Sequence, residues 1–128
     1  MTIKHRSRGQ AVIESAVSLL VFLVLTIGVI DATRAAWSYN TVSFLARDGA
    51  RFGITPGHDI VSYVSNRCSQ FGLNGCTVTA PSASCGALQT VSVSYDFTPA
   101  TPLISVIWGD DLTLSATSQM YTEKGLGC

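Results

Sequence analysis

Charge is scarce in this chain: only 12% of its 128 residues are Asp, Glu, Lys or Arg, and the formal balance is zero. A nucleic-acid binder would carry a basic stripe, so that class of partner is not expected. The common catalytic signatures are missing as well, with no GxSxG, no HExxH, no phosphate-binding loop and no GxGxxG after a strand. Histidine is limited to His5, near the start, and His58, in a turn where exposure is the default, so neither suits a ligand or base role. The cysteines form no CxxC and no Cys/His cluster of zinc spacing, which argues against a metal site built on thiols, and no cofactor is expected. Asp110 and Asp111 make one carboxylate pair that would suit calcium, but no EF-hand spacing surrounds them, and an acidic turn before a strand is the commoner arrangement.

What the chain does have is one long apolar run. From Ala11 to Ile30, 20 consecutive positions hold a single ionisable group, Glu14. As a helix they cover roughly 30 Å, one hydrocarbon thickness. A secretory signal would be shorter and would end in small residues, whereas this run ends in Asp31, Thr33 and Arg34. Residues 10–30 are therefore read as a transmembrane helix, 1–9 as a basic leader and 31–128 as an extracytoplasmic head. Lys4, Arg6 and Arg8, with His5, all precede the span, a bias that keeps the amino terminus in the cytoplasm and sends the rest across the membrane. Glu14 lies near the start of the span, where a carboxylate persists only with a partner, a function or a snorkelling path to water.

Beyond the span no Pro or Gly occurs between Asp31 and Arg47, so the helix is expected to continue to Phe52, a rod of about 64 Å from Gln10. Its outer half carries a narrow stripe at Ala32, Ala35, Ala36, Tyr39, Val42, Ala46, Gly49 and Ala50, suited to close packing. Trp37 and Tyr39 suit the headgroup region or the start of the head core. Asp31 with Arg34 and Asp48 with Arg51 are read as solvated i to i+3 pairs. Gly53 is a plausible C-cap before the turn at Thr55-Pro56-Gly57.

Asp59 to Phe71 reads as a short amphipathic helix, with Ile60, Val61, Val64, Cys68 and Phe71 on one face and Thr55 or Asp59 as its cap. Asn74-Gly75 then signals a turn before a short strand at Cys76 to Thr79. Val91, Val93, Tyr95 and Phe97 alternate with polar residues, as do Leu112, Leu114, Ala116, Ser118 and Met120, the period of half-buried strands. Leu103 to Trp108, between them, reads as a packed loop or a single helical turn. The fold class expected is α+β: a long N-terminal helix, a short second helix and an antiparallel sheet of about three strands.

Fewer than 100 residues remain for the head, a size that benefits from staples. Cys68, Cys76, Cys85 and Cys128 all lie on the translocated side, where an oxidising compartment would pair them, and their even number fits two disulfides. If the late strands pair about a loop centred near residue 104, the chain end returns toward residue 85, so Cys128 would reach Cys85 and Cys68 would pair with Cys76. The other connectivities stay open at this point.

Gly9, Gln10 and then Glu14 as the fifth residue after Gly9 resemble the processing signature of type IV prepilins. More fully, RGQAVIESAVSLLVFLVL, the rod end ARDGARFG at Ala46 to Gly53 and the strand SVSYDF at Ser92 to Phe97 resemble TadE-like pseudopilins of the tight-adherence (Tad, or Flp) pilus. Members typically carry Leu-Pro-Leu early in the helix; Ser18-Leu19-Leu20-Val21 has no proline, which predicts a straighter rod here. The resemblance implies a pilin-like minor pilin that supports pilus assembly, and so adhesion or secretion, and not an enzyme. It implies cutting between Gly9 and Gln10 by a membrane-embedded prepilin peptidase, with Glu14 neutralising the new amino terminus of its own or a neighbouring subunit. A small residue suits a peptidase cleft, and a buried carboxylate pairs best with a buried ammonium. Cutting there removes three of the eight basic residues and leaves five against eight acids, formally −3. The implied partners are other pilin subunits, the peptidase, an inner-membrane assembly platform and lipid. Two other readings compete: a permanently anchored periplasmic interaction domain, and a small anchored enzyme.

Overall fold

The computed structural model describes residues 6–55, 57–100, 109 and 112–123, with side chains from residue 9 onward. Its first element, α1, is a single helix over Arg6–Phe52, and no break separates the apolar half from the outer half. The expected unbroken rod is thus present, and it starts earlier than expected, since Arg6 to Gly9 are already helical. Hydroxyl groups inside it are satisfied locally: Ser15 and Thr26 each donate to the carbonyl four residues back, Ala11 and Phe22, at 2.8 Å. That back-bonding lets these two side chains sit in an apolar stretch with their hydroxyls paired.

The second helix, α2, spans Ile60–Gln70. Of the two candidate caps it uses Asp59, whose carboxylate accepts from the Ser62 backbone N–H at 3.1 Å and from the Ser62 hydroxyl at 2.6 Å. Those bonds hold the Asp59 carboxyl below its ordinary value. At the other end, Leu73 N–H reaches back to the Cys68 carbonyl at 3.0 Å, with Gly72 in the left-handed region at φ 73°. This closure satisfies the last carbonyls and turns Leu73 into the core.

Three strands follow, β1 at Thr77–Thr79, β2 at Leu88–Phe97 and β3 at Leu112–Tyr121, forming an antiparallel sheet in the order β1-β2-β3. Val78 lies opposite Val93, and β2 runs against β3 from Leu88 opposite Tyr121 to Phe97 opposite Leu112. That register centres the connection between residues 104 and 105, as the alternation predicted. One face of the sheet carries Thr77, Thr79, Ser92, Ser94, Ser115 and Thr117, with Ser92 and Thr117 hydroxyls bonded at 2.9 Å. The opposite face supplies Val91 and Val93 to the core, where Val42, Leu45, Ala46, Ala50, Val64 and Cys68 meet them. Each fully buried Val or Leu contributes about 1.5–3 kcal/mol.

Two glycines let α1 come this close. A Cβ at Gly49 would lie 2.5 Å from Val64 Cγ2, and one at Gly53 would lie 2.5 Å from Ile60 Cδ1. Gly53 was expected as a C-cap, but it is absent from the positive-φ glycines, and what requires it is space against Ile60 and Gln89.

The structure corrects the face of α1. Val42, Ala46, Gly49 and Ala50 are buried as expected, but Ala32, Ala36 and Tyr39 are exposed, and Asp31, Ser38, Thr41 and Leu45 take the buried positions. Burial follows where the sheet lands, and the sheet reaches the helix along the 38, 41, 42, 45, 46, 49 line. On α2, Ile60, Val64 and Cys68 are buried, while Val61 and Phe71 stay largely exposed. Phe71 instead sets its ring edge against Phe44, centroids 6.0 Å apart.

Candidate functional site

The sequence places the chemistry of interest at the start of α1. Gly9 and Gln10 are both exposed and lie within the helix, one turn from its first residue. Among the described residues nothing lies within 4 Å of where a Gly9 Cβ would be. Glu14 is exposed too, four residues after Gln10, and therefore one turn further along the same helical face. If the bond between Gly9 and Gln10 were cut, an ammonium on Gln10 would stand about 6 Å along the axis from Glu14.

From Val12 to Ile30 no side chain of α1 is buried; Val12, Phe22, Leu25 and Val29 are each more than three-fifths exposed. One helix of the described chain is long and apolar enough to cross a membrane, and it is this one. It fits a single-pass membrane anchor.

The span ends against the head. Asp31 is 2% exposed, accepts from the Ala100 backbone N–H at 3.3 Å and pairs with Arg34 at 3.3 Å. The Arg34 guanidinium in turn lies 5.7 Å from the centre of the Phe97 ring. The expectation of a solvated Asp31–Arg34 pair is therefore half right: the ion pair exists, but Asp31 is buried and ties α1 to the segment after β2. Beside it, an apolar groove of about 290 Å³ opens between Gly28, Ala32, Ala35, Phe97, Pro99 and Leu112.

The second expected ion pair is not formed. Asp48 turns away from Arg51 and accepts from the Tyr63 hydroxyl at 3.0 Å, with Arg67 3.6 Å from the same oxygen. Tyr63 stacks on Phe52, centroids 4.0 Å apart and 8° between the planes, and the His58 ring centre is 4.9 Å from that of Phe52. This cluster joins α1 to α2 and packs their ends together. Trp37 is 52% exposed and stays outside the core.

The cysteines divide into two sets. Cys85 is disulfide-bonded, and Cys128, its expected partner, lies outside the described residues. The return of the chain toward residue 85 is present: Thr122 N–H donates to the Ala87 carbonyl at 3.0 Å, and its buried hydroxyl lies 2.9 Å from the Ser84 carbonyl oxygen. Cys68 and Cys76, expected to pair, are both free thiols here, Cys68 buried and Cys76 partly so. Burial, with the neighbouring sulfur adding to it, pushes Cys68 up to about 12, and burial also raises Cys76.

Asp110, Asp111, His5 and Leu103 to Trp108 lie outside the described residues; among those described, no group of three or more His, Cys, Asp or Glu side chains is placed to hold a metal. Sequence reading missed Gln89, which is 2% exposed and bonds through its amide to the Pro81 carbonyl at 2.8 Å and the Ala83 N–H at 3.1 Å. Its side chain acts as a strand substitute that pins the 81–83 loop. The only signal available was its place two residues before the alternating run that starts at Val91, on the apolar parity.

Fold and site together define a class: a small α+β head carried on the outer half of one apolar, membrane-length helix. Within that class, residues 9–51 match the family model described as TadE-like protein, the same rod that carries the resemblance noted from the sequence. The match is a likeness of the rod and does not reach the second helix or the sheet. No curated protein and no solved structure matches the chain.

Proposed function

We propose that the protein is a minor pilin, or pseudopilin, of a Tad pilus: residues 1–9 are a leader removed by a prepilin peptidase, 10–30 span the inner membrane, and the head faces the periplasm. The observation that carries this reading is the pairing of Gln10 with Glu14, one turn apart at the start of an apolar helix with no buried side chain between Val12 and Ile30. A carboxylate in that position is costly in hydrocarbon unless a cation meets it, and a newly cut amino terminus is such a cation. The bare apolar half needs either lipid or the helices of other subunits around it, so the same surface serves the anchored and the assembled states. A helical junction must also unwind to enter a peptidase cleft, and glycine is the residue that resists this least. Cys85 bonded to Cys128 would close the carboxyl end onto the sheet, in keeping with the hydrogen bonds from Thr122.

The test is the amino-terminal residue of the membrane-extracted protein from cells that hold the peptidase. A chain beginning at Gln10 is expected. Gly9→Leu should leave the leader in place, whereas Glu14→Gln should be cut but recovered from sheared pili at one tenth of the wild-type level or less, taking about 1.4 kcal/mol or more for the lost ion pair. An intact Met1 in assembled fibres would overturn the reading in favour of a permanent anchor.

A further inference from the structure

Cys68 and Cys76 are not drawn on by the reading above, and their setting is specific. Cys68 closes the last turn of α2 and is 2% exposed, whereas Cys76 is half-buried just before β1. One residue holds both: Leu73 donates its N–H to the Cys68 carbonyl at 3.0 Å and accepts the Cys76 S–H at its own carbonyl at 3.5 Å. Gly72 and Gly75, at φ 73° and 90°, give the fold-back that returns the chain from the end of α2 to Cys76. The two thiols are near enough for each to influence the other's proton.

We propose that this pair is an ordered oxidation site for a disulfide oxidant, in which Cys76 reacts first and Cys68 resolves, leaving a bridge that ties the end of α2 to the start of β1. Accessibility sets the order, because an attacking oxidant can reach the half-buried sulfur and not the enclosed one. In the first step Cys76 loses its proton and its sulfur displaces one thiolate from the oxidant, forming a mixed disulfide. In the second, Cys68 loses its proton and attacks the Cys76 sulfur, expelling the other half of the oxidant as a thiolate. Two S–H bonds are lost and one S–S bond is made in the protein, while the oxidant is reduced from a disulfide to two thiols, which take up the two protons. Burial keeps both thiols mostly protonated, so the site stays inert toward casual oxidation until a reactive disulfide is presented. The site belongs to the folded head and does not depend on polymerisation or on leader cleavage.

The full chain in detergent micelles, reduced and then exposed to glutathione disulfide, tests this by peptide mapping in the mass spectrometer. Wild type should end with Cys68 joined to Cys76 and no glutathione on either. Cys68→Ser should retain glutathione at Cys76, and in Cys76→Ser the remaining Cys68 should react at least roughly tenfold more slowly. As a check that needs no variant, maleimide applied to the reduced, folded wild type should label Cys76 before Cys68. Labelling of Cys68 first, a final bridge from either residue to Cys85, or two thiols that stay unbridged after oxidant has reached equilibrium would each overturn the proposal.

Discussion

Asp48 shows how a single side chain can change its role between the chain and the fold. On α1 it has Arg51 one turn away, yet its carboxylate serves the Tyr63 hydroxyl and lies near Arg67, both on α2. The hydrogen bond is the stronger contact, since Arg67 is 3.6 Å away and partly solvated, where water screens the attraction. Tyr63→Phe is accordingly expected to lower stability by about 1 kcal/mol, and Arg67→Met by less. With Asp48→Ala already present, adding Tyr63→Phe should cost little more, and thermal unfolding of the four variants measures the coupling. Gly49 acts by being small. Gly49→Ala places a methyl group 2.5 Å from Val64 Cγ2 and should destabilise the head by about 1–3 kcal/mol, whereas Gly28→Ala, with open space around it, should leave head unfolding unchanged.

At the scale of elements, the join between α2 and β1 has a pH signature. With both sulfurs reduced, the Cys68 thiol is raised in the folded state, so the stability it reflects is fully present below the ordinary thiol value of 9.0 and is lost as pH rises toward about 12. Oxidised protein, with no thiol there to titrate, should lack that alkaline loss, and denaturant unfolding of the two forms between those limits would show the difference. The strands were legible from sequence because alternation fixes both face and register: Val91, Val93 and Phe97 had to point one way, and the Phe97–Leu112 pairing follows from two alternating runs around a short connection. The phase of α1 was not legible. Its outer half places Ala32, Ala36 and Tyr39 on one line and Ser38, Thr41 and Leu45 on another, and a helix rich in small residues can bury either. The sheet chose the second line, through contacts distant in sequence such as Gly49 with Val91. Asp31 was misjudged for the same reason, since its partner, the Ala100 N–H, lies 69 residues away. The glycine, glutamine and glutamate near the start, by contrast, form a local pattern and needed no tertiary information.

For the whole molecule, the described core begins at Val42 and lies wholly beyond the apolar half of α1. Removing residues 1–30 should therefore give a head that is soluble, folded and monomeric, with an unfolding midpoint within a few degrees of the full chain in detergent. Gel filtration and circular dichroism check this, and aggregation would show that the head leans on its anchor. The full chain should require detergent, since Val12, Leu20, Phe22 and Leu25 are all more than half exposed. There is also a mechanical side to a helix that passes from Arg6 to Phe52 without interruption. No swivel separates the apolar half from the half that bears the sheet. Phe52 stands roughly 33 Å above Ile30, so a lean of about 20° in the bilayer swings the top of the rod sideways by roughly 11 Å. Head orientation is thereby set by whatever steadies the lower half, and a neighbour gripping that half would aim the upper surface without touching it.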